Sequence, residues 1–132
     1  MDQQFRDGLQ IRKQVMGDGY VESAFARADA FTRPLQEFIT RNAWGTVWCR
    51  EGIDLKTRSF LTLAMLTAMG RSQELKGHIR GALNNGATIA ELQEVLLHAG
   101  VYCGAPLAMD AFRAAQECLQ ERGDYAAMVQ AE

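Results

Sequence analysis

Residues 55–69 read LKTRSFLTLAMLTAM. No proline or glycine interrupts them, and beyond the first turn apolar side chains fall on almost every side of a 3.6-residue helix. Such a helix buries on all sides, in the core of the chain or in an interface between subunits. Asp54 just before it is a natural N-cap, and Gly70 just after it a natural stop.

Toward the C-terminus the punctuation stays helical. Ser72 is placed to cap a helix over about 73–85, which ends at Asn85-Gly86. Thr88 and Glu91 form a T-x-x-E capping box ahead of a helix with Ile89, Leu92, Val95, Leu96 and Ala99 on one face. Tyr102-Cys103-Gly104-Ala105-Pro106 interrupts, a last helix runs to about Arg122, and the tail from Gly123 is expected to be loose. Toward the N-terminus, 45–54 (GTVWCREGID) reads as a loop. Pro34 opens a helix with Leu35, Phe38 and Ile39 on one face, and another covers about 21–31. Gly17-Asp18-Gly19 ends an amphipathic helix over 2–16, spaced by Phe5, Leu9, Arg12 and Met16. No run alternates as a strand does. The expectation is an all-α chain of about six to seven helices, one domain over 1–132, with N-terminal helices in 1–50 and core helices in 53–122.

Composition narrows the function. The chain has 132 residues, 48% hydrophobic and 23% charged, which suits a folded globular domain. A net charge of −2 argues against a nucleic-acid partner. No apolar run approaches the ~18 residues of a membrane span, and MDQQFRDGLQIRKQ at the N-terminus has no apolar signal core. Cys49, Cys103 and Cys118 are odd in number and have no CxxC spacing, which fits reduced thiols in a cytoplasm. Two histidines twenty residues apart match no metal-ligand spacing.

Charge is uneven: residues 33–80 carry eight basic and four acidic side chains, and the rest of the chain is acidic. A basic middle concentrates field on an anionic small molecule, whereas solvated helix faces explain the same residues without function. Glu74 and His78 lie four apart on one helix, where a carboxylate can orient an imidazole for proton transfer or form an ordinary surface pair. His98, in an apolar helix, reads as a core or interface histidine. Trp44 and Trp48, between Arg41 and Arg50, suit the walls of a pocket for a flat anion and suit plain packing equally well. Tyr102, Gly104 and Pro106 make a rigid break that can shape a pocket rim or simply turn the chain.

Three blocks together, ITRNAWGTVWCREGIDLKTRSFLTLAML (39–66), ELKGHIRGALNNGAT (74–88) and VYCGAP (101–106), give the chain a specific resemblance to the 4-carboxymuconolactone decarboxylase family over almost its whole length. The AWG..W block is similar to the dedicated decarboxylases rather than the broader superfamily. The resemblance implies an alkylhydroperoxidase-like helical fold, built as a trimer or hexamer. It implies cofactor-free conversion of 4-carboxymuconolactone to 3-oxoadipate enol-lactone and carbon dioxide, in the protocatechuate branch of the β-ketoadipate pathway. The peroxidase branch carries a CxxC with a histidine four residues further on. Arg71 and Glu74 stand at those cysteine positions here, His78 at the histidine, and Ser59 where that branch has a glutamate.

For a decarboxylase the resemblance points to His78 as proton donor or enolate stabiliser oriented by Glu74, and to Arg58 and Arg41 as carboxylate clamps. Trp44, Trp48 and Tyr102 become pocket walls, with Arg50 beside them and no metal. A thiol redox enzyme using a lone cysteine such as Cys103, a decarboxylase or isomerase for another carboxylated lactone, and a non-enzymatic helical oligomer that merely keeps the fold are the alternatives.

Overall fold

A computed structural model describes residues 1–123 and 125–126. Among these, seven α-helices and one π-helix account for the regular structure, and no strand occurs. The chain divides into two compact units, residues 1–58 and the remainder from Ser59.

The first unit holds α1 (Gln3–Met16), α2 (Asp18–Arg27), α3 (Arg33–Phe38), a π-helix over Ile39–Trp48, and the first turn of α4 (Leu55–Ala68). Asp2 caps α1 by accepting from the Phe5 amide at 2.8 Å. Val15, Met16, Val21, Trp44 and Trp48 form its core, with Leu9, Phe25 and Leu55 packed around them. α1 and the π-helix meet backbone to backbone. A Cβ on Gly45 would stand 2.4 Å from the Gln4 carbonyl oxygen, so only glycine fits there.

The second unit continues α4 into α5 (Ser72–Asn84), α6 (Ile89–Cys103) and α7 (Ala105–Glu121). Leu63, Leu75, Ile79, Leu92, Leu96 and Ala111 lead its core. Burying one such leucine or isoleucine is worth about 1.5–3 kcal/mol. The Thr88–Glu91 capping box forms with both reciprocal bonds present, and Asp54 caps α4 by accepting from the Thr57 amide at 2.7 Å. Gly104, at φ +102°, turns the chain from α6 into α7, whose first turn carries Pro106.

Four local expectations are corrected. Residues 45–48 are not loop but the end of the π-helix, because glycine at 45 serves close helix contact rather than a turn. α2 starts at Asp18, since Gly17 alone, at φ +98°, makes the break. Ser72 is the first residue of α5 and caps nothing; Arg71 holds the cap position. α6 runs through Tyr102 and Cys103 and stops at Gly104. Within the chain α4 buries Ser59, Leu63 and Thr67, while Leu61 and Met65, with Met69 just past its end, are exposed. The expectation of a loose tail falls largely on residues outside those described; Tyr125, which is described, accepts a hydrogen bond from Gln116 at 2.8 Å.

Candidate active site

In the first unit the π-helix carries three of the residues singled out from the sequence. Arg41 is drawn to the start of α1, its Nε donating to Asp2 Oδ2 at 3.1 Å with its guanidinium 5.9 Å from the Phe5 ring centre. Trp44 and Trp48 stack with ring centres 4.5 Å apart and planes at 25°. Both are buried, so the indoles belong to the core and can offer a site a floor rather than open walls. Arg50 is exposed just past the π-helix, and its carbonyl accepts from Arg58 Nη2 at 3.2 Å. Arg58 stands one turn into α4, half-buried, with its Nε shielded from solvent.

In the second unit His78 lies at mid-length in α5, half-buried, with Nδ1 shielded from solvent. Glu74 is one turn away but exposed, and its carboxylate pairs with Arg71. The hydrogen bond from Arg71 holds the Glu74 carboxyl below its usual range. The expected orientation of His78 by Glu74 is therefore corrected: at i,i+3 the guanidinium competes for the carboxylate and wins, because it brings a full charge. Asn85 lies two turns beyond His78, and its amide donates to the hydroxyl of Ser59 at 2.9 Å. Tyr102 is 83% exposed and lies beside His98, ring centres 5.4 Å apart. Within the chain, then, His98 is a surface residue and not a core one.

Two of the three thiols are poorly placed for redox work. Burial pushes the Cys49 and Cys118 thiols up from their ordinary value, away from the thiolate form that reacts. Cys103 donates to the carbonyl of Ala99 at 2.7 Å.

One polar cluster escaped the sequence reading. Arg12 is only 6% exposed, and its guanidinium donates to Thr40 Oγ1 and Gln36 Oε1, each at 3.0 Å. Burial lowers its pKa. The signal was present, since Arg12 occupies a position in the apolar spacing of α1 where a leucine would be ordinary.

The sequence profile of the carboxymuconolactone decarboxylase family matches residues 33–117, which span the π-helix, the histidine helix and most of α7. The chain belongs to this family. The family's alkylhydroperoxidase-like helical fold is the one seen here. Two decarboxylases are similar over nearly the full length. The nitrosuccinic acid decarboxylase npaB of Metarhizium robertsii is 47% identical over 124 residues, covering 92% of this chain and 87% of that protein. The 4-carboxymuconolactone decarboxylase of Acinetobacter baylyi is 39% identical over 122 residues, covering 92% and 91%. An uncharacterized 15.0 kDa protein of Paracoccus denitrificans is 34% identical over 61% of this chain. As a family member with relatives of this kind, the chain is a decarboxylase-type, carboxy-lyase protein. No described helix is long and apolar enough to cross a membrane.

Proposed function

We propose that this chain removes one carboxylate from a substituted succinate, with 4-carboxymuconolactone as substrate and the enol-lactone and carbon dioxide as products. The observation that carries the reading is the near full-length likeness to two decarboxylases whose named substrates share a skeleton. In both nitrosuccinate and 4-carboxymuconolactone, the carbon that bears the departing carboxylate also bears a carboxymethyl arm and an electron acceptor. The acceptor is a nitro group in one and the ring alkene conjugated to the lactone carbonyl in the other. Nitrosuccinate is the second reading, favoured by the higher identity to the fungal enzyme.

The skeleton explains why a cofactor is dispensable. The bond from carbon to carboxylate breaks and its electron pair passes onto the acceptor oxygens, giving an enolate or a nitronate. Carbon dioxide leaves, and a proton then adds to carbon. In this reading His78 delivers that proton or steadies the anion, a contribution typically worth ~100- to 10,000-fold. Arg58 grips the carboxymethyl arm, with Arg41 as a second clamp once it exchanges Asp2 for substrate. The departing carboxylate needs drier, less cationic surroundings, since tight pairing there would stabilise the ground state. Trp44, Trp48, Arg50 and Tyr102 are the further substrate-binding residues of this reading. Glu74 serves through Arg71 rather than through the imidazole. A homo-oligomer, trimer or hexamer, in a cytoplasm completes the proposal.

The deciding experiment offers the purified chain both acids in the presence of a chelator and follows carbon dioxide and the organic product. Turnover of 4-carboxymuconolactone with the higher kcat/KM supports the first reading, and preference for nitrosuccinate the second. Turnover of neither by folded protein overturns both.

A further inference from the structure

A π-helix of ten residues needs holding, because its i→i+5 bonds are rare beyond single-turn bulges. The holding comes from one stripe of α1. Gln4, Gly8 and Arg12 are spaced by four, so they line up along α1, and each meets the π-helix or its entry at a different level. Gln4 Nε2 donates to the Arg41 carbonyl at 3.2 Å and to the Thr46 hydroxyl. Gly8 leaves room for the Thr40 carbonyl. Arg12 reaches the α-to-π junction, one arm on Thr40 Oγ1 and the other on the Gln36 side chain. The Thr40 hydroxyl in turn donates to the Gln36 carbonyl at 2.7 Å, the acceptor that an α-helical Thr40 amide would take. The acceptors on Arg12 are neutral, although burying a guanidinium costs several kcal/mol unless it is well bonded. Packing alone would be served by an apolar side chain here.

We infer that Arg12 is a positioning residue: through Thr40 and Gln36 it keeps Ile39–Trp48 in the π register, and so sets the bearings of Arg41, Trp44 and Trp48. A residue of an i→i+5 helix turns through a smaller angle than one of an α-helix. Relaxation to α would therefore swing these three side chains to different bearings. The register claim stands on the contacts alone, and its consequence for substrate rests on the decarboxylase reading above.

The test uses the full chain and the stacked indole pair as a reporter. Two indoles 4.5 Å apart couple excitonically, and their far-UV circular dichroism couplet depends on mutual orientation. Arg12→Met and Thr40→Val are expected to keep the helix signal and lose about half or more of the couplet, with Thr40→Ser restoring it. On whichever acid the wild type decarboxylates, KM is expected to rise about tenfold while kcat stays within about threefold, as for lost substrate binding rather than lost chemistry. Folded Arg12→Met and Thr40→Val with an unchanged couplet overturn the inference. A lost couplet with unchanged KM overturns its substrate half. Should Arg12→Met fail to fold, the Thr40→Val and Thr40→Ser pair decides. A wild type that turns over neither acid removes the decarboxylase reading and leaves the couplet to judge the register.

Discussion

The carbonyl oxygen of Thr40 stands 2.1 Å from where a Cβ on Gly8 would lie, so α1 and the π-helix touch at a point where no side chain fits. A methyl group there cannot be absorbed by a flexible neighbour, because the obstacle is backbone. Gly8→Ala is expected to destabilise the fold by about 1–3 kcal/mol or more, at the upper end for overpacking. Chemical denaturation of Gly8→Ala beside Gly19→Ala checks this, since a Cβ on Gly19 meets nothing within 4 Å. Equal stability of the two variants would contradict the contact.

His78 and Glu74 should separate in kinetics. His78→Ala is expected to lower kcat by about 100-fold or more, the scale of a lost proton-transfer group. Glu74→Gln is expected to change kcat/KM by no more than about threefold, because its carboxylate serves an exposed pair with Arg71, a type worth little. Steady-state kinetics on the better of the two acids reads both. A large loss in Glu74→Gln with an intact fold would restore the carboxylate to the imidazole.

Much of this was legible in the sequence, and the misses share a cause. Helix ends marked by local chemistry were readable: Asp54, Thr88 with Glu91, and the stop at Gly70 act within a few residues of themselves. The π-helix was not readable, because what keeps it is Gln4, Gly8 and Arg12, some thirty to forty residues away along the chain. The residues of the candidate site were nameable by type and spacing, but their partners were not. Spacing allows Glu74 to reach either Arg71 or His78, and only competition between charges decides. Residues 45–48 read as loop because a glycine such as Gly45 serves irregular backbone and close contacts alike.

The capping box at α6 offers a clean stability test. Thr88 accepts from the Glu91 amide at 3.1 Å, and the Glu91 carboxylate accepts from the Thr88 amide at 2.9 Å. Thr88→Ala removes one of these and is expected to cost about 0.5–2 kcal/mol, whereas Thr88→Ser should cost far less. Thermal unfolding of the two variants compares them directly.

Acid should reach the caps of the first unit only below the ordinary carboxyl range. Asp2 is held below its usual range by the Phe5 amide and then by Arg41, and Asp54 by hydrogen bonds from Thr57. A carboxyl with a lowered folded pKa contributes stability that is fully present above the unfolded value, near 4. That contribution disappears as pH falls through the lower folded values. Unfolding free energy is therefore expected to be level from neutral pH to about 5 as far as these groups are concerned, and to decline below about 4. Asp54→Asn, which keeps a capping oxygen but cannot titrate, should shallow that decline in an acid titration followed by circular dichroism.

The outward face of α4 makes the last prediction. Leu61 and Met65, with Met69 just past the helix end, recur every fourth residue and are 47%, 57% and 67% exposed, while Leu63 on the opposite face is fully buried. Returning such side chains to an apolar environment is worth about 0.8 kcal/mol per methylene. A stripe of this kind on a family member proposed to assemble is where a second copy gains most. Light scattering of the wild type is expected to give a multiple of the 14.7 kDa chain mass. Met65→Lys puts a charge in the middle of the stripe without touching the buried face, so it should shift the mass toward 14.7 kDa and leave the helix signal unchanged. A monomeric wild type, or a Met65→Lys variant that assembles as the wild type does, would show that α4 carries its apolar face in water.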